Sequence, residues 1–115
     1  MEESILITIK KLLGIAEEYT NFDTDIIVHI NSAFMVLQQL GVGPEEGFSI
    51  EDADTTWTEF VSTSNFELVK SYIYLKVRLM FDPPNSSAMI ESVNRQINEF
   101  EWRLQVAADP IEVAD

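Results

Sequence analysis

Apolar residues recur at intervals of three and four between Asn65 and Pro84, and they cover more of a helix than one surface-facing stripe requires. One stripe comprises Phe66, Val69, Ile73, Val77 and Met80, and a second comprises Leu68, Tyr72, Leu75 and Leu79. Asp82-Pro83-Pro84 ends the pattern, because proline supplies no amide donor and disfavours helical backbone before it. The pattern predicts a buried central helix over about 65–81.

Three other segments show the helical period. They are residues 4–13, a segment from about 23 or 24 to 40, and a segment from about 87 to 107. Glycines at positions 14 and 41 suit the ends of the first two. Thr56 and Glu59 have capping-box spacing and predict a short helix over about 57–62, with Trp57 turned inwards. We therefore predict an all-α fold, a small bundle of four to five helices around the central one.

An acidic loop, VGPEEGFSIEDAD over 42–54, separates the second helix from the short one. Its carboxylates are Glu45, Glu46, Glu51, Asp52 and Asp54. A calcium loop of the EF-hand type needs a glycine at its sixth position and a glutamate at its twelfth, and counting from Asp52 or Asp54 finds neither. We expect a solvated loop without a bound ion.

The chain has 115 residues, the size of one domain. We expect a helical domain over 1–107 and a short, flexible acidic tail over 108–115, where Pro110 bars further helix. The absence of cysteine excludes disulfides, thiolate metal sites and cysteine nucleophiles. No apolar run reaches the roughly 18 residues of a membrane span, and the acidic start is unlike a signal peptide.

Charge is distributed unevenly along the chain. Twenty acids and seven bases give a net charge of −13, and eleven acids but no base lie between Lys11 and Lys70. This balance argues against sequence-independent binding to nucleic acid and against binding to an anionic membrane, since both need lysine and arginine. Two interpretations stay open: solubility alone, or a negative surface that meets a basic partner or repels passing DNA.

Catalytic chemistry finds little support in the sequence. His29 is the only histidine, and with Asp25 at helical spacing it makes neither a metal site nor a triad. The acid pairs Glu45-Glu46 and Glu51-Asp52 are expected from the composition, and nothing assigns them to a pocket. We predict no enzyme activity, no metal and no cofactor.

The order of several short pieces resembles the small head–tail connector, or head-completion adaptor, proteins of tailed bacteriophages. In chain order the pieces are ILITIKKLLGI, FDTDIIVHINSAFMVLQQLGVG, TTWTEF, YIYLKVRLMFDPP and INEFEWRL. The resemblance covers residues from about Ile5 to Leu104. It implies an all-helical domain whose copies form a ring of about a dozen subunits beneath the portal. Such a ring extends or closes the DNA channel and provides the platform for tail attachment.

The resemblance also implies partners and a location. The partners would be further copies of the chain, the portal protein and a tail-side connector or stopper protein, with DNA only as passing cargo and no membrane. The location would be the head–tail junction of the virion, and the host cytoplasm during assembly. The alternative is a small acidic binding module, a DNA mimic or an inhibitor of a basic host protein, which the stretch without bases would suit.

Site residues follow from this interpretation. In a ring each subunit presents one face to the opposite face of its neighbour, and the few basic residues would help to set the register. We expect the subunit interface among Trp102, Arg78, Arg95 and Arg103. Portal docking, tail docking or channel lining is expected of Glu45, Glu46, Glu51, Asp52 and Asp54 in the loop and of Ile111 and Val113 in the tail.

Overall fold

Four α-helices account for most of the fold. The computed structural model describes residues 3–60 and 65–108. The helices are α1 (Ile5–Leu13), α2 (Asp23–Gln39), α3 (Phe66–Phe81) and α4 (Ser87–Ala108), and a 3-10 turn spans Trp57–Glu59. These residues contain no strand, only an isolated bridge between Ser4 and Thr56. The predicted all-α bundle is confirmed.

Helix α3 is central, since it packs against α1, α2 and α4. Its buried residues are Val69, Tyr72, Ile73, Leu75 and Val77. Met80 was predicted to join this buried stripe, and that prediction is wrong: the side chain is 45% exposed. Periodicity assigns a residue to a face of a helix, but it does not say how far along that face the neighbouring helices reach. Met80 lies in the last turn, past the buried part.

The N-terminus of α1 is fastened to the segment before the 3-10 turn. Ser4 caps α1 by accepting a hydrogen bond from the amide of Ile7 at 3.2 Å. The amide of Ile5 donates to Thr55 O at 3.0 Å, and the amide of Trp57 donates to Glu3 O at 3.2 Å. The side chain of Trp57 is fully buried, as predicted. The helix predicted over 57–62 is only this 3-10 turn within the described residues, and Ser62 lies outside them.

The acidic loop is held by two side chains of α2. Asn31 accepts a hydrogen bond from the amide of Ile50 at 2.8 Å and donates one to the carbonyl oxygen of Ile50 at 3.0 Å. Gln38 donates to the carbonyl oxygen of Glu45 at 2.9 Å. At Gly43, which has φ +90°, an added Cβ would collide with the ring of Phe60. The loop therefore has a fixed backbone path across one side of α2.

Tyr72 links α3 to α4. Its hydroxyl donates a hydrogen bond to Glu101 Oε2 at 2.7 Å. Burial raises the pKa of the Tyr72 hydroxyl well above its usual value, and the hydrogen bond to Glu101 and the negative charge of Glu101 raise it further. The hydroxyl therefore stays protonated wherever the fold is intact.

We expect this pKa shift to appear as a loss of stability at alkaline pH. Unfolded tyrosine titrates at about 10. Above that pH the unfolded chain releases the Tyr72 proton and the folded chain keeps it, so the free energy of unfolding falls by up to about 1.4 kcal/mol per pH unit. Below pH 10 the Tyr72 hydroxyl makes its full contribution to the free energy of unfolding. Tyr72→Phe should cost about 1–2 kcal/mol at pH 8, and this gap should narrow above pH 10.

Urea unfolding between pH 8 and pH 11 measures this effect. Glu101→Gln is the matched control, because it removes the charge and keeps a hydrogen-bonding side chain opposite the buried hydroxyl. Because burial is the largest cause of the raised pKa of Tyr72, the stability of Glu101→Gln should still fall above pH 10. Parallel curves for the parent chain and Tyr72→Phe over the whole range would show that the hydroxyl of Tyr72 does not set the alkaline limit.

Candidate functional site

One groove stands out on the described residues, and it is small. A groove between α1 and α3 has a volume of about 190 Å³ and is lined by Glu3, Ile7, Thr8, Lys11, Leu12 and Lys70. Pockets for small molecules usually measure about 300–1,000 Å³. Within residues 3–60 and 65–108, no group of three or more acidic or histidine side chains is placed to hold a metal ion, and no helix is long and apolar enough to cross a membrane. The candidate functional features are therefore surfaces.

The first surface is the acidic loop over 42–54. Its five carboxylates, Glu45, Glu46, Glu51, Asp52 and Asp54, are all exposed. In the part of the chain that the structure describes, none of them forms an ion pair with lysine or arginine. Five uncompensated charges on a fixed loop give this side of the domain a strongly negative field. Whether this surface meets a partner or faces a channel stays a prediction.

The second surface is the outer face of α4, which we call the arginine strip. It comprises Arg95, Glu99, Trp102, Arg103 and Val106. Trp102 is 64% exposed, and Val106, one turn further, is also exposed. Arg103 donates two hydrogen bonds to Glu99 Oε2, at 2.7 and 3.1 Å. Tryptophan of this exposure is unusual on a monomer and frequent at protein interfaces.

The structure brings three of the four predicted interface residues together. Trp102, Arg95 and Arg103 share the outer face of α4, whereas Arg78 is half-buried on α3. Arg78 Nη1 lies 3.5 Å from the hydroxyl oxygen of Tyr74, one turn away on the same helix. The role of all four residues at a subunit interface stays a prediction. Ile111 and Val113, predicted to dock on the portal or tail, lie outside the described residues.

Sequence reasoning missed the role of Lys10. A lysine in the last turn of a short helix is usually solvated, but the side chain of Lys10 is only 1% exposed. Lys10 Nζ donates to the carbonyl oxygens of Glu17 and Tyr19 at 3.0 and 2.8 Å and lies 2.8 Å from Asp23 Oδ1. A signal was present, since Lys10 follows Leu6 by four residues and precedes Leu13 by three, on an apolar row of α1. Lys10 fixes the connector between α1 and α2.

That connector and the end of α3 together present a group of aromatic side chains, which we call the aromatic ladder: Tyr19, Phe22 and Phe81. The ring centroids of Tyr19 and Phe22 lie 5.6 Å apart, and those of Phe22 and Phe81 lie 5.3 Å apart, both edge to face. Tyr19 and Phe22 are 45% and 39% exposed. No sequence signal joins a residue of the first connector to the end of α3, so the ladder emerges only from the fold.

Comparison with known proteins matches the architecture to a family. A family model described as a phage connector protein matches residues 5–110. No curated protein and no solved structure matches the chain. The matched range runs from the start of α1 past the end of α4, so it includes the acidic loop, the aromatic ladder and the arginine strip. The chain therefore belongs to the phage connector protein family, and its role is that of a structural head–tail connector in the virion.

Proposed function

We propose that this connector acts as a ring of about a dozen subunits beneath the portal protein, where it extends or closes the DNA channel and forms the platform for tail attachment. The observation that carries the proposal is the exposed Trp102 on a domain of the connector family. A tryptophan that is buried only on association contributes strongly to binding, since its large apolar surface leaves water.

The charge of the domain suits a passage for DNA. The five carboxylates of the acidic loop are exposed and lack a lysine or arginine partner within the described ranges. Duplex DNA binds proteins mainly where lysine and arginine neutralise its phosphates. A ring that turns this loop towards its lumen would let the duplex slide past without adhering. DNA is then cargo in transit rather than a bound ligand.

Docking above and below the ring involves the two remaining predicted elements. In the proposal, the segment over 108–115, with Ile111 and Val113 alternating with acids, adds to the portal as an extended strap. The acidic loop serves as the other contact, on the tail-side connector or stopper protein, if it does not line the channel. The proposed place of action is the head–tail junction, after assembly in the host cytoplasm.

Assembly on the portal is the direct test. The purified chain is mixed with the portal ring of the same phage, and binding is followed by light scattering and electron micrographs. We expect the parent chain to decorate the portal as a ring, and Trp102→Ala to weaken this at least about tenfold, as for a hot-spot residue. Met89→Ala is the matched control, since Met89 is exposed near the other end of α4.

Two results would decide against the ring. One is a parent chain that stays monomeric and binds neither portal nor tail proteins. The other is capture of a single basic host protein by a chain that ignores the virion proteins, which would favour the acidic binding module. Trp102→Ala and the parent chain should unfold at the same temperature. A loss of assembly is then not caused by a loss of folding.

A further inference from the structure

We infer that the aromatic ladder of one subunit docks onto the arginine strip of a second copy of this chain. This inference rests on the proposed ring, and it names the two faces that would form each subunit contact. The ladder supplies Tyr19, Phe22 and Phe81. The strip supplies Trp102, which lies between Arg95 and Arg103, and Val106. Both faces combine exposed apolar side chains with charged ones, as interfaces commonly do.

The ladder is ordered before any partner arrives. Lys10 binds the carbonyl oxygen of Tyr19 at 2.8 Å, and the edge-to-face contacts connect Tyr19 through Phe22 to Phe81 on α3. Two elements far apart in the chain thus hold one set of partly exposed rings. Aromatic groups that are already fixed lose little conformational entropy on binding, so more of their burial appears as affinity.

The edge of the ladder is negative. Glu17 and Glu18 precede Tyr19, and Asp82 follows Phe81, and all three acids are exposed. None forms an ion pair in the part of the chain that the structure describes. Lys10, which binds the connector between α1 and α2, is buried and lies 2.8 Å from Asp23 Oδ1. The ladder therefore favours a partner whose apolar centre has cations beside it.

The arginine strip places cations beside exposed apolar side chains, although the whole chain has a net charge of −13. Arg95 precedes Trp102 by seven residues, two turns and about 10 Å along the same face of α4. Arg103 follows Trp102 and is bound to Glu99 at 2.7 Å, so the strip holds two guanidinium groups and one carboxylate. Arg95 forms no ion pair among the described residues, and Glu91 lies one turn beyond the strip.

The two faces occupy different places on the subunit. Phe81 lies at the end of α3, just before the turn into α4, whereas Trp102 lies about 22 Å along α4 from its first residue. Ladder against ladder would set acids against acids, and strip against strip would set arginines against arginines, which is unfavourable. Ladder against strip pairs opposite charges. Such a heterologous contact repeats from copy to copy, and it generates a ring when the rotation between neighbouring copies closes.

Cross-linking between subunits tests the contact, because the chain has no cysteine of its own. Thr20→Cys marks the ladder and Asn98→Cys marks the strip, and both positions are exposed. The two variants are mixed, assembled on the portal ring and treated with a short bis-maleimide. We expect the mixed dimer at least about tenfold above a control mixture of Thr20→Cys with Met35→Cys, whose exposed side chain lies on α2.

Exchanging charges between the two faces provides a second test of the contact. Glu18→Arg and Arg95→Glu should each weaken assembly, and the two changes combined in one chain should restore it. Assembled rings with cross-links no higher than the control and no such restoration would overturn the ladder–strip contact while leaving the ring intact. A parent chain that does not assemble on the portal would instead overturn the proposed function, and this inference with it.

Discussion

Replacing Trp57 with alanine is expected to lower the free energy of unfolding by about 3–5 kcal/mol, the usual cost of removing a buried aromatic ring. The side chain is fully buried, and its Nε1 donates to Thr8 Oγ1 at 3.1 Å. Its ring also meets Phe66 edge to face at 5.6 Å, at the first residue of α3. Alanine would leave a cavity where α1, the 3-10 turn and α3 meet. Urea unfolding followed by circular dichroism measures the loss.

Two variants make that experiment decisive. Trp102→Ala removes the other tryptophan, and since that side chain is exposed we expect a change within about 0.5 kcal/mol. Trp57→Phe keeps an aromatic ring and loses the hydrogen bond to Thr8, so it should cost less than alanine and still fold if Trp57→Ala does not. Equal effects of alanine at positions 57 and 102 would show that Trp57 does not anchor the core.

Replacing Lys10 with methionine is expected to cost about 3–5 kcal/mol, although methionine has a similar length and is more apolar. Removing one partner of a buried ion pair leaves the other charge uncompensated. Here Asp23 Oδ1 and the carbonyl oxygens of Glu17 and Tyr19 all lose their cation. Lys11→Met is the matched control, since Lys11 is the next residue and is exposed. Thermal and urea unfolding of both variants measure the difference.

Coupling between Lys10 and Asp23 can be isolated from the rest. Asp23→Asn removes the charge that Lys10 faces, so the double variant Lys10→Met with Asp23→Asn should lose less than the sum of the two single changes. Strict additivity would show that the ion pair is not the source of the loss. The two carbonyl oxygens lack their donor in both Lys10 variants, and their cost should remain.

Local patterns were sufficient to predict the helices and much of the core. The two stripes over 65–81 gave α3 its central place, and Gly14 gave α1 its end, because these features depend on neighbours within a few residues. The spacing of Thr56 and Glu59 was also informative: the amide of Thr56 donates to Glu59 Oε2 at 3.1 Å. Trp57 could be assigned to the core because a large ring beside a helix start rarely stays in solvent.

Contacts between distant parts of the chain could not be predicted in this way. Asn31 meets Ile50 across nineteen residues, and Tyr72 meets Glu101 across twenty-nine. Nothing in the sequence identifies these contact partners, since an asparagine or a glutamate on a helix is usually solvated. The aromatic ladder was missed for the same reason. Trp102 was expected at a subunit interface, and its side chain is 64% exposed.

The contacts that hold the acidic loop in place do not involve most of its charged groups. Its anchors use backbone groups of Ile50 and Glu45 and side chains of α2, and of its five carboxylates only that of Asp52 forms a hydrogen bond within the described residues, with the amide of Asp54 at 2.9 Å. The other four acids can be exchanged for neutral or basic residues with little structural penalty. Natural variation or engineering can therefore change the surface potential of the connector at this loop while the fold stays unaltered.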